Sequence, residues 1–249
     1  MLLLSVIQKT MVNQLEINAD FSQRSLLHTT QIEWQNSPMK GVRRRVLDRV
    51  GKEVARATSI VSYDPGSHFS PHVHTGGEEF IVLEGVFQDE HGDYPPGTYI
   101  RNPPESKHTP GSNDGCVIFV KLWQFDLQDR HAVTTDMNRV VLNEDATRSG
   151  VKFNTLFEDA RETVRLEHWA PGAQVSIDTS GGAELLVLEG GFIEGKDTLD
   201  KLAWMRVPID GSFEATAGSN GTKVWVKTGH LRFTEEEKQR IVAHDASSS

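Results

Sequence analysis

Residues 66–85 read GSHFSPHVHTGGEEFIVLEG, and residues 92–108 read GDYPPGTYIRNPPESKH. In the first run His72 and His74 alternate, so on a strand of period two both imidazoles project from one face. Glu78 follows after a gap that holds Gly76 and Gly77, which gives a tight turn room to bring a carboxylate back toward that face. Gly85 closes the arm. In the second run Gly97, Pro103 and His108 predict a strand, a stiff turn and a third imidazole. Three histidines and one carboxylate are thereby expected to converge as ligands of a divalent transition metal, Fe, Zn, Mn or Ni.

This spacing resembles the two motifs of the cupin superfamily. The first motif is a glycine, five residues, HxH, three or four residues, a glutamate, six residues and a glycine; Gly66, His72, His74, Glu78 and Gly85 match it throughout. The second, a glycine, five residues and PxGxxH, is met by Gly97, Pro103 and His108, with Glu105 standing where the motif has glycine. Glu79 is the alternative carboxylate; Glu78 is preferred because it keeps the six-residue interval to Gly85. Within the superfamily, residues 76–108 and the run on to about Trp123 are similar to the ChrR-type cupins, named for the cupin half of certain bacterial anti-sigma factors. The resemblance implies a jelly roll whose interior carries the ligands.

Outward from this centre, VRRRVLDRV, VARATSIVSY, EEFIVLEGVF, TYIRN and CVIFVKLWQF are short strand-like runs separated by Gly, Pro, Asn and Asp. After a polar stretch the pattern returns. APGAQVSIDTSGGAELLVLEGGF echoes DPGSHFSPHVHTGGEEFIVLEGVF, and GTKVWVKTGHL echoes GCVIFVKLWQF. The expected fold is therefore all-β, a bicupin of tandem double-stranded β-helix jelly-roll domains. Its parts are an N-terminal extension packing on the first cupin (1–40), a metal-binding cupin (41–128), a linker with one strand-like pair (129–149), a degenerate cupin without histidine ligands (150–233) and a C-terminal tail opening with a short helix (234–249). The repeat is offset by 106 residues between Gly66 and Gly172 and by 105 between Gly85 and Gly190. On the first offset His72, His74 and Glu78 become Asp178, Ser180 and Glu184; on the second, His108 becomes Phe213. The second barrel lacks imidazole ligands, so one metal per chain is expected.

The chain has 249 residues, 37% hydrophobic and 24% charged, with a formal net charge of -9, which argues against nucleic acid and anionic membranes as partners. Cys116 is its one cysteine, so no intrachain disulfide can form and a reducing, cytoplasmic setting is the default. It is read as a small buried strand residue. The LLLSVI run at residues 2–7 is too short to span a bilayer and lacks signal-peptide features. Leu15, Ile17, Phe21, Leu26, Leu27, Ile32 and Trp34 show no sustained period and are expected to wrap the first domain. His68 shares parity with His72 as a proton shuttle or alternative ligand, with a solvent-facing mouth position favoured, while Asp89, Glu90 and His91 are expected in an exposed loop.

Function follows from the site and from the resemblance. An octahedral ion held by these ligands keeps open positions for an oxygen-chelating compound and dioxygen; a tetrahedral Zn would be filled by protein. Stand-alone cupins of this kind include dioxygenases that cleave small diketones or hydroxyaryl ketones. Anti-sigma relatives carry an additional helical zinc domain that this sequence does not show. The expectations are a non-haem Fe(II)-dependent dioxygenase of a small dicarbonyl or hydroxyaryl ketone, within walls formed by Phe80, Val82, Ile118 and Val120, and alternatively a non-catalytic Zn-binding sensor or ligand-binding module. The partner is a small molecule, and the chain a monomer or homodimer.

Overall fold

The β-branched and aromatic runs form strands throughout the computed structural model, which describes residues 16–52 and 54–247. The LLLSVI run and Leu15 lie outside the described residues. Two compact units emerge, each assembled from separated stretches of chain; among the described residues the first takes those within 16–19, 34–136 and 235–247, and the second 20–33 and 137–234.

The main sheet of the first unit is antiparallel, in the order Glu16–Ile17, Val42–Gly51, Ala55–Tyr63, Cys116–Leu122, Glu78–Gly85, Thr98–Asn102 and Val133–Asp136. Cys116–Leu122 inserts between two strands that precede it, the crossover of a jelly roll. Its inward residues bury Val61, Phe80, Val82, Ile100, Ile118 and Val120 in one core, to which Phe87 is added from a smaller sheet. Cys116 is free and buried, as read from the sequence. The helix Thr234–Ser247 belongs to this unit apart from its first residue. Its Glu237 accepts a 2.7 Å bond from Arg56 Nε, with both side chains buried and Asp48 on the other side of the guanidinium at 3.4 Å. Among the described residues no helix is long and apolar enough to cross a membrane.

The second unit repeats the plan in the order Asn143–Glu144, Val151–Glu158, Thr163–Trp169, Glu214–Thr228, Ala183–Glu194, Ala203–Val207 and Ser25–His28. The place of the third imidazole is filled by an aromatic ring. Phe213, where the first unit has His108, is 3% exposed and packs its ring 5.9 Å from Phe192 and 6.4 Å from Trp169.

Two stretches differ from expectation. Residues 1–40 do not all lie on the first cupin: Glu16–Ile17 and Gln35–Asn36 pair with Val42–Gly51, but Ser25–His28 pairs with Ala203–Val207 in the second unit. Residues 129–149 provide an edge strand to each unit, Val133–Asp136 beside Thr98–Asn102 and Asn143–Glu144 beside Val151–Glu158. The cause is the same in both. Thr98–Asn102 and Ala203–Val207 are corresponding strands whose outer backbone groups would otherwise be left without a ladder, and a segment from outside the repeat covers each.

The repeat is visible in the backbone itself. Gly85 and Gly190 adopt φ of 67° and 68°, and a Cβ on them would stand 2.0 Å from the Gly115 carbonyl oxygen and 2.1 Å from that of Gly221. Gly66 has a similar φ of 75° but open space around it. Accordingly, Gly85→Ala and Gly190→Ala should each lower stability by about 2 kcal/mol or more, and Gly66→Ala by roughly 1 kcal/mol, the strain of the left-handed backbone alone. Urea unfolding followed by tryptophan fluorescence measures the difference, and equal losses at Gly85 and Gly66 would show that close approach adds nothing.

Candidate metal centre

The two sequence motifs are stitched together through backbone. His72–Val73 pairs with Lys107–His108 so that His72 and His108 are direct cross-strand partners. His74 N donates to the Ser106 carbonyl at 2.9 Å, and Glu105 N donates to the His74 carbonyl at 3.0 Å. Gly77 N donates to the same His74 carbonyl at 3.3 Å, which closes the turn toward Glu78. Glu105, at the motif's glycine position, takes the conformation a glycine would, with φ of 72°. Asp210, its counterpart in the second unit, does the same at 57°. The departure from the motif therefore leaves the turn intact at the cost of local strain.

This stitching brings the three imidazoles face to face. Ring centroids are 4.8 Å apart for His72 and His74, 5.1 Å for His72 and His108, and 4.6 Å for His74 and His108. One nitrogen from each lies within 4.8 Å of the others, a spacing that could hold a metal ion. Glu78 Oε2 stands 3.5 Å from His74 Nε2 and 3.7 Å from His108 Nε2, and accepts a 3.2 Å bond from Asn102 Nδ2. His68 is not part of the group; it is exposed on Ser67–His68, opposite Gly111.

The charge states suit a cation. Burial, with the neighbouring His72, pushes the pKa of His74 down to about 4, and burial likewise lowers that of His108, so both rings are neutral at pH 7 and keep a lone pair. His74 Nε2 is buried without a hydrogen-bond partner. Burial pushes the Glu78 carboxyl up, opposed by His108 and Asn102. A buried lone pair with no donor and a carboxylate short of compensation are both satisfied by a divalent ion.

Glu79 points the other way. Its Oε1 accepts a 2.7 Å bond from the Tyr99 hydroxyl, and its cross-strand partners are Arg101 and Lys121, all buried. The second unit reproduces this row: Glu184 stands opposite Arg206 and Lys227. Glu184 is therefore the counterpart of Glu79, not of Glu78, whose position is taken by Ala183. Trp204 Nε1 and His230 Nε2 lie at 2.7 and 3.1 Å from the Glu184 carboxylate, and Asp178 is exposed and accepts from Ser180 N at 2.9 Å.

One contributor was missed in the sequence. Asp89 is not in an exposed loop; its side chain is 7% exposed and its Oδ2 lies 3.4 Å from His108 Nδ1, while its Oδ1 accepts from the Tyr94 hydroxyl at 3.1 Å. The available signal was its parity with Phe87 on the strand Phe87–Asp89, which sends both inward. Beside the cluster opens a cavity of about 340 Å³, lined by His72, His74 and Glu78 together with apolar residues that include Phe69, Ile118 and Val120. Phe80 and Val82 lie in the core behind it.

Comparison with known proteins agrees with this architecture. Residues 22–126 match the family model described as the ChrR Cupin-like domain. A protein from Nostoc punctiforme PCC 73102, provisionally named a dioxygenase, superposes with a TM-score of 0.70 at 15% identity, over 84% of each chain. The bacterial pirin YhhW from Escherichia coli, in complex with nickel(II), superposes at 0.53 with 11% identity over 83% of this chain and 99% of its own. Oxalate decarboxylase from Lactobacillus farciminis, as a formate complex, gives 0.56 at 11% identity over 83% of this chain and 86% of its own. At these identities the likeness is one of fold, a bicupin. No curated protein matches the chain.

A carboxylate behind an imidazole fixes the ring and raises its basicity, and loss of such a partner weakens metal binding by roughly 10–100-fold. Asp89→Asn should therefore reduce Ni(II) affinity by about that factor in a calorimetric titration while leaving the fold unchanged by circular dichroism. An unchanged affinity would show that His108 is held by its strand alone.

Proposed function

We propose that His72, His74, His108 and Glu78 bind one divalent transition metal and that the chain is an Fe(II)-dependent dioxygenase of a small oxygen-chelating compound, a dicarbonyl or a hydroxyaryl ketone. The observation that carries the reading is the opening of the histidine cluster onto an apolar-walled cavity of about 340 Å³, the size class of small-ligand sites. A buried structural site has no use for such a space.

The chain's own groups divide the work. His72, His74 and His108 supply neutral nitrogen donors, and Glu78 supplies one negative charge, held by Asn102. A redox-active ion bound by these donors would supply the chelation of the substrate oxygens and the electron transfer to dioxygen. Ile118, Val120 and Phe69 exclude water from the substrate body. Asp89 places a carboxylate oxygen 3.4 Å from the outer nitrogen of His108. The second barrel, with Phe213 in place of the third imidazole and no imidazoles at the other corresponding positions, does not bind this metal.

Elemental analysis of metal-supplemented protein should give about one ion per chain, and His72→Ala, His74→Ala and His108→Ala should each release it, because loss of one ligand removes both bond energy and geometry. Loaded anaerobically with Fe(II) and offered diketones and hydroxyaryl ketones, the protein should consume oxygen in a reaction that requires Fe(II), substrate and His74. Tightly bound native Zn, together with silence from every Fe-loaded sample, would instead assign the site to sensing or ligand storage.

A further inference from the structure

The cavity beside the histidines has a second polar feature that the metal reading does not use. Arg44 and Arg49 both line it. Five positions apart on one strand, they should face opposite sides. The strand Val42–Gly51 carries a bulge: Val46 pairs with Ser59 and Asp48 with Thr58, so Leu47 is the extra residue. The bulge switches parity. Arg44 then stands opposite Val61 and Arg49 opposite Ala57, both partners being cavity-lining residues.

The two guanidiniums are poorly compensated there. Among the described residues neither forms an ion pair, and Glu78 is the acidic residue among those lining the cavity. Arg49 Nη2 donates to the Lys52 carbonyl, which satisfies one N–H and leaves the charge. Burial and then the charge of Arg44 both work against protonation of Arg49. The Tyr63 hydroxyl is raised chiefly by burial, next by the Glu78 carboxylate, and is lowered by Arg44, so one side chain senses both ends of the cavity. Arg49, Ala57, Leu122 and Glu78 are successive cross-strand partners. Three interstrand steps put about 14 Å of sheet between the Arg49 and Glu78 backbones. Ala57 and Leu122, both cavity-lining, stand between them as apolar wall.

We infer that Arg44 and Arg49 form an anion subsite, so that the ligand of this cavity carries a carboxylate at one end, chelating oxygens at the other and an apolar body between them. This deepens the metal-centre reading and rests on it for the chelating end. A planar carboxylate matches the guanidinium fork, and between the two half-buried arginines it offsets their mutual repulsion. A neutral diketone would leave the two half-buried positive charges without a counterion.

The probe is 4,6-dioxoheptanoate, a diketone with a terminal carboxylate, against its methyl ester, titrated calorimetrically into Ni(II)-loaded protein. The acid should bind at least about tenfold more tightly than the ester. Arg44→Gln and Arg49→Gln should each remove most of that preference while keeping ester affinity and metal content, and retained ester binding shows that the variant is folded. Equal binding of acid and ester, loss of both together in the arginine variants, or no binding of either compound would overturn the subsite. The His74→Ala protein separates the two readings. An arginine-dependent preference for the acid that persists when no preparation holds metal supports the subsite and defeats the metal centre; metal held firmly with no preference does the reverse.

Discussion

Glu78 and Glu79 are adjacent carboxylates on one strand, both buried, and they must face opposite sides. The position of everything else in the first unit depends on which goes where. Glu79 stands between Arg101 and Lys121 as cross-strand partners and accepts from the Tyr99 hydroxyl. A buried charge separated from its partners costs several kcal/mol, and a slip of one residue would turn every side chain of the strand to the other face. The charged row thus pins the register. Glu78 is then delivered to the histidines without any choice of its own.

The second unit shows frame and site to be separable. Its row of Arg206, Glu184 and Lys227 is retained, as are the left-handed turn residue Asp210 and the close backbone contact at Gly190. On the inward face Ala183 replaces the carboxylate and Phe213 the third imidazole. Trp169, Phe192 and Phe213 occupy that interior as packed rings. The outward row serves the sheet and the inward row serves the ligand, so one can be stripped while the other persists.

This separation explains what was legible in the sequence. The HxH spacing, the glycines and the repeat are local patterns, and they gave the bicupin fold and the meeting of His72, His74 and His108. The counterpart of Glu184 was misassigned because the residue count changes by one between Gly66 and Gly85, and only strand pairing shows where. Asp89 was placed in solvent because a DEH run reads as a loop when its partner lies nineteen positions onward, at His108. The bulge that turns Arg44 and Arg49 to one side leaves no mark in composition. Ser25–His28 was beyond reach for the same reason: nothing local announces a partner at Ala203–Arg206.

The exchange of segments also governs the order in which the molecule can be made. Arg56 waits for Glu237, 181 residues later, to receive its second carboxylate beside Asp48, and Ser25–His28 waits for Ala203–Arg206 before its backbone enters a ladder. During synthesis the first barrel therefore emerges with Asp48 beside Arg56 but without Glu237, and the early strand emerges with no sheet to join. Closure of such long loops is slow relative to local pairing. A nascent chain arrested at the 129–149 segment holds neither unit whole, so proteolytic or genetic division at that point divides both compact units although it falls between the two repeats.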